Sequence, residues 1–110
     1  MKTIEYKGTK WTGSVTFSDP LTLPQAAAWE RSVAEAQRVL KEGAGMSAYN
    51  YAILAGICAC VEKWELKGLP ERITPESFPA KPHKARAELV AWLVNCVIDL
   101  YKDADEVPNE

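Results

Sequence analysis

Few side chains in this 110-residue chain could take part in catalysis, and its single histidine is the first to consider. His83 lies between Pro82 and Lys84, where the sequence predicts the start of a helix. General base catalysis needs a histidine that a partner orients inside a pocket, and the residues around His83 indicate neither. We therefore expect His83 to be solvent-exposed and without a catalytic role.

A small basic cluster surrounds this histidine and consists of Lys81, His83, Lys84 and Arg86. Basic side chains at the start of a helix oppose the helix dipole, so a contact with an acidic group is one interpretation. The other interpretation, which we favour, is a patch that is simply solvated. The sequence leaves both open.

The three cysteines, Cys58, Cys60 and Cys96, are the candidates for metal binding or redox chemistry. Cys58 and Cys60 are two residues apart in a predicted helix, so they point to nearly opposite faces. They therefore cannot share a metal ion or form a disulfide with each other. An odd number of cysteines without a secretion signal favours reduced thiols that pack in the interior.

Other motifs of catalytic or binding sites lack their defining residues. Asp103, Asp105 and Glu106 do not have the spacing, central glycine and distal glutamate of a calcium loop. Gly43 and Gly45 are not followed by the lysine of a phosphate-binding loop. No serine or cysteine lies in a nucleophile-elbow sequence. The sequence therefore predicts no enzyme, no catalytic residue, no metal site and no cofactor.

The composition is typical of one globular domain, which we predict to span residues 1–110. Apolar residues make up 47% of the chain and charged residues 25%, and the formal net charge is −2. That charge gives no basic footprint for nucleic acid. No apolar run reaches the roughly 18–20 residues of a membrane span, and the first ten residues lack a signal-peptide centre. We expect a cytoplasmic protein with neither nucleic acid nor membrane as partner.

We predict an α+β fold in which an N-terminal β-hairpin packs on a mainly α three-helix unit. In residues 1–18, Trp11, Val15 and Phe17 alternate with polar residues, which is typical of a strand, and a turn is expected near Gly8. Two strands alone are marginally stable, so their apolar face must pack on the helices or pair with another chain.

Capping signals and breakers delimit the helices. Thr22 and Gln25 have the spacing of a capping box, and Gly43 follows the first helix. The proline-rich loop is either mobile and functional or an extended strap pinned by Ile73 and Phe78. The predicted elements after the hairpin are a helix over 22–42, a helix over 47–66, the loop over 67–83, a helix over 84–103 and an acidic tail over 104–110.

Two helical surfaces are candidates for binding a partner. One side of the second helix carries small residues, which either pack inside the domain or form a groove for a partner helix. The third helix is apolar over roughly 240° of its circumference, so other helices flank it on both sides or another subunit buries part of it. From these two surfaces the candidate partner-binding residues are Ala52, Gly56, Ala59, Val94, Ile98 and Tyr101.

Two segments resemble small proteins encoded among the tail genes of long-tailed bacteriophages and prophages. One is DPLTLPQA, which begins at Asp19 and continues towards Trp29. The other is FPAKPHKARAELVAWL, which begins at Phe78, and the sequence then closes with EVPNE. Together they cover roughly half of the chain. Within that group the chain is similar to the tail assembly chaperones of siphophages.

This resemblance implies a non-enzymatic function. Such chaperones bind the long, helical tape measure protein and keep it soluble while tail tube subunits polymerise around it. The tape measure protein is therefore the expected partner, the tail tube protein and a second copy of this chain are further candidates, and the expected location is the cytoplasm of the bacterial host. The alternative is a structural minor tail or tail-completion protein, which would form a closed ring and remain in the particle.

Overall fold

The computed structural model describes residues 1–105 and confirms the α+β class with an N-terminal antiparallel hairpin. Residues 106–110 of the predicted acidic tail lie outside the described part. In chain order the elements are β1 (Lys2–Lys7), β2 (Thr12–Phe17), α1 (Leu23–Lys41), α2 (Met46–Cys60), β3 (Val61–Leu66) and α3 (His83–Asp105).

The sheet has three antiparallel strands in the order β1-β2-β3. Ile4 pairs with Val15, and Val15 pairs with Trp64 on the other side, so β2 is the central strand. The register shifts at Phe17, which pairs with Val61. The side chains of Val15 and Phe17 are fully buried, which places the core on that face of the sheet.

The prediction of a single helix over 47–66 is wrong, because α2 ends at Cys60 and the chain continues directly into β3. In β3, exposed Lys63 and Glu65 alternate with buried Trp64 and Leu66, which is the period of a strand. The backbone N–H of Ser18 donates to the carbonyl of Cys60 at 3.0 Å as the strand begins. Pairing with β2 thus gives the backbone of these residues partners that a helix would otherwise supply.

The start of α1 confirms the predicted capping box. The hydroxyl of Thr22 accepts from the backbone N–H of Gln25 at 3.4 Å, and the side-chain oxygen of Gln25 accepts from the backbone N–H of Thr22 at 2.8 Å. Gly43 follows the helix with a φ of 83°, a value that favours glycine. The prediction of a helix over 22–42 is therefore correct to within one residue at each end.

The core lies between the sheet, α3 and the pair formed by α1 and α2. Trp92 of α3 packs against Tyr6 and Phe17 of the sheet, with ring centroids 4.7 and 6.5 Å away. Leu89 and Leu93 of the same helix are fully buried. The wide apolar surface of α3 is therefore covered largely within the chain.

The segment over residues 67–82, here called the strap, is held against the core at the two residues expected to pin it. Ile73 is only 4% exposed, and half-buried Phe78 packs edge-on against Trp11 at 6.4 Å. The thiol of Cys58 also donates to the carbonyl of Ile73 at 3.5 Å. The strap is thus an extended covering segment, one of the two interpretations of the sequence.

The hairpin turn is tied to α3 by one carboxylate. Glu88 accepts from the backbone N–H of Thr9 at 2.7 Å, from the Thr9 hydroxyl at 2.9 Å and from the Tyr6 hydroxyl at 3.2 Å. The hydrogen bonds from Thr9 hold the pKa of Glu88 below its usual value. Burial, together with the bond to Glu88, raises the pKa of Tyr6 to about 12.

We expect Glu88→Gln to destabilise the protein at neutral pH and to have little effect in acid. Because the pKa of Glu88 is lower in the folded state, its ionised form favours folding above the unfolded pKa. That contribution is lost as the pH falls through the folded pKa. The measurement is the free energy of urea unfolding for both proteins between about pH 3 and pH 7. A difference between the two proteins that stays constant over this range would contradict the assignment.

Candidate functional site

A groove of about 680 Å³ runs along the outer side of the α1–α2 pair. Its floor consists of small side chains, with Ala28 from α1 and Ala48, Ala52 and Ala55 from α2. Pro75 and Glu76 of the strap form part of its border. Because these side chains are small, another polypeptide can approach the backbone of α2 more closely than larger side chains would allow.

The floor lies where the two helices are fixed against each other. The backbone N–H of Gly56 donates to the hydroxyl of Ser32 at 3.0 Å, and that hydroxyl donates to the carbonyl of Ala52. A Cβ atom on Gly56 would lie 2.6 Å from the Ser32 Cβ and 3.0 Å from the Trp29 Cα. Gly56, one of the predicted partner-binding residues, is thus buried inside the helix pair. Because Gly56 has no side chain, α1 can pack closely against α2 at this position.

Charged side chains of both signs border the groove. On α1 the guanidinium of Arg38 donates to the carboxylate of Glu35, and to Glu42 one turn later at 2.6 Å. These bonds raise the pKa of Arg38, so it remains charged at every relevant pH. Across the groove the hydroxyl of Tyr51 donates to Glu76 at 2.8 Å. The walls are polar and electrically mixed, whereas the floor is apolar.

Tyr51 supplies an exposed aromatic surface beside the alanine floor. Its side chain is 55% exposed although its hydroxyl is hydrogen-bonded. Sequence reasoning indicated the small-residue face of α2, which includes Ala55, but missed Tyr51 and the α1 wall as parts of the same site. The signal was present in α2, because Ala48, Tyr51 and Ala55 recur at helical spacing on one stripe.

The six predicted partner-binding residues do not form one surface. Ala52 lies in the floor of the groove, and Ala59 is exposed on α2 beyond the groove. Val94 borders a separate cleft of about 220 Å³ between α2 and α3. Ile98 and Tyr101 are half-buried farther along α3 and pack on the core, and the Tyr101 hydroxyl donates to Glu30 of α1. The structure therefore brings only Ala52 into the groove.

The three cysteine thiols have environments that suppress their reactivity. Burial raises the pKa of Cys58, Cys60 and Cys96 to about 11, so each thiol is protonated at neutral pH. His83 is exposed and is the first residue of α3. Among the side chains of residues 1–102, no three His, Cys, Asp or Glu residues are grouped to hold a metal ion. Within the same residues, no helix is both long and apolar enough to span a membrane.

No protein-family model, curated protein or solved structure matches this chain. The α1–α2 groove combines an apolar floor with charged walls. Such a surface is suited to burying a segment of another polypeptide, because it offers close backbone approach and an aromatic contact.

Proposed function

We propose that the protein is a non-enzymatic assembly chaperone that holds a helical segment of a client in the groove between α1 and α2. The observation that carries this proposal is the alanine floor of the groove with the exposed ring of Tyr51 beside it. A partner helix can approach such a floor closely and bury its apolar stripe there. An aggregation-prone helical protein needs its apolar stripe covered in this way while it remains unassembled.

The dimensions of the groove support a helix as the occupant. An α-helix with its side chains is about 10 Å across, so only one stripe of it can enter a surface groove. A volume of 680 Å³ lies within the roughly 300–1,000 Å³ typical of ligand clefts, enough for several side chains of that stripe. The charges of Arg38 and Glu35 on one wall and Glu76 on the other can then contact the polar flanks of the bound helix.

The resemblance of residues 19–30 and 78–93 to siphophage tail assembly chaperones supports the tape measure protein as the client. In this proposal the chaperone acts in the cytoplasm of the bacterial host, before the tail tube has enclosed the client. The chaperone leaves as the tube polymerises. A structural tail component, in contrast, would remain in the finished particle, and this difference is open to experiment.

We expect Ala55→Arg to reduce the recovery of soluble client about tenfold or more, because a long charged side chain would occupy the exposed part of the groove floor. The measurement is co-expression with the tape measure protein of the same tail gene cluster, followed by affinity capture. Light scattering on the captured complex then gives the number of chaperone copies bound to each client.

Ala59→Arg is the matched control, since Ala59 is also exposed on α2 but lies outside the groove. It should leave client recovery unchanged. Equal recovery with both variants would exclude the groove as the binding surface. A free protein that forms closed rings, does not bind the client and is present in purified particles would instead establish a structural tail component.

A further inference from the structure

A smaller cavity lies where the strap meets the first turns of α2 and α3. Its volume is about 170 Å³, and Leu54 and Phe78 give it apolar walls. Arg86 lines this cavity and is only 7% exposed, so it is not part of a solvated basic patch. The neighbouring cations Lys81 and Lys84 are exposed, as that interpretation of the sequence expected.

The guanidinium of Arg86 is buried, and no acidic side chain of the described residues pairs with it. Its Nη1 donates to the carbonyl of Ala80 at 2.9 Å and to the hydroxyl of Ser47 at 3.2 Å, and both acceptors are neutral. Its Nε has no hydrogen-bond partner among the described residues, and no described carboxylate forms an ion pair with it. A buried charge without a counter-ion is costly.

The surroundings of the cavity add positive potential. Ser47 lies in the first turn of α2 and Arg86 near the start of α3, so the positive ends of both helix dipoles are at the cavity. Neither first turn contains an acidic residue, and Gly45 gives α2 no side-chain cap. Asn50 also lines the cavity and is 3% exposed, and its side-chain oxygen has no partner. The Asn50 side chain can therefore rotate to donate its amide N–H to a ligand, because its oxygen has no hydrogen bond that rotation would break.

We infer that this cavity binds a carboxylate group through the guanidinium of Arg86. A guanidinium donates parallel hydrogen bonds to a carboxylate, and Arg86 lines the cavity with only neutral acceptors among the described residues. The apolar walls formed by Leu54 and Phe78 favour a planar carboxylate with an apolar remainder over a strongly hydrated tetrahedral anion. This inference does not depend on the identity of the client.

Two sources could supply the carboxylate. The cavity shares Tyr51 and Pro75 with the α1–α2 groove, so an acidic side chain of a segment bound in the groove lies within reach. A free small organic acid is the other source. Both present the same chemical group to Arg86, and the state of the Arg86 Nε–H group in the client complex distinguishes them.

The test is a titration of the full-length protein with sodium acetate, followed through the NMR signal of the Arg86 Nε–H group. At constant ionic strength we expect a saturable shift, with an affinity about tenfold or more above that for chloride. Lys84→Gln should leave the titration unchanged, because Lys84 is an exposed neighbouring cation. Arg86→Lys should abolish the saturable response of the remaining signals near the cavity, such as the Asn50 side-chain amide.

A response to acetate no larger than that to chloride, or no response at all, would overturn the inference. This outcome is read from the wild-type titration alone, so it does not depend on whether Arg86→Lys folds. In the purified client complex, a signal already at its saturated position identifies the client as the source of the carboxylate. A signal that still responds to acetate identifies a free acid. If no client binds, the acetate titration stands, and only the function proposed above is lost.

Discussion

Gly56→Leu is expected to destabilise the protein by about 3 kcal/mol, the upper end of the usual range for overpacking a core. The backbone of Trp29 and the side chain of Ser32 already occupy the space that a single Cβ atom would need. A leucine must therefore separate α1 from α2, which also breaks the bond from the Gly56 N–H to the Ser32 hydroxyl. Because this contact fixes the floor of the groove, client binding should be lost as well.

Urea unfolding followed by circular dichroism measures this loss of stability. Ala59→Leu is the control, because it adds a similar side chain to an exposed position three residues later on the same helix. It should stay within about 0.5 kcal/mol of the wild type, as is usual for surface substitutions. Unfolding midpoints that coincide for the two variants would show that α1 and α2 are not in close contact at Gly56.

Phe17→Ala is expected to cost about 3–5 kcal/mol, the range observed when a fully buried phenylalanine is truncated. Phe17 is 0% exposed, and its ring lies near Trp92 of α3, so the cavity left behind would adjoin the contact between the sheet and α3. Small domains are stable by only about 5–15 kcal/mol, so this variant would lose a large share of the total.

Thermal and urea unfolding of Phe17→Ala should both show this loss, and Phe17→Leu should cost less than half as much because it retains most of the apolar volume. Thr12→Ala is the control on the same strand, since Thr12 is exposed. If Phe17→Ala and Thr12→Ala unfolded at similar urea concentrations, the core would not lie on the face of the sheet that carries Phe17.

Local sequence signals predicted much of the fold because they act over a few residues. The Thr22–Gln25 capping box gave the start of α1, and alternation around Val15 gave β2. β3 was missed because Ile57, Cys60 and Trp64 also fit one helical stripe. The conformation of β3 is determined by pairing with β2, more than forty residues earlier in the chain. Alternation of Lys63, Glu65 and Lys67 with Trp64 and Leu66 was the local signal for it.

The candidate site was less predictable, because its residues meet only in the folded chain. The sequence indicated the small-residue face of α2, but it could not show that Ser32 of α1 covers Gly56 and leaves Ala52 exposed to the groove. The burial of Arg86 depends on Ser47 and Ala80, which come from two other segments. Such convergence is a property of tertiary packing and leaves no periodic pattern in the sequence.

The direct passage of α2 into β3 sets a limit on how the length of this chain can vary. Side chains alternate between the two faces of a strand, so one residue inserted after Cys60 would turn Trp64 and Leu66 away from the core. A deletion there would have the same effect. The exposed end of the strap near Glu71 and the residues around Gly43 have no such constraint, since neither lies in a helix or strand. These two connections can therefore accept insertions and deletions, whereas the junction of α2 and β3 cannot.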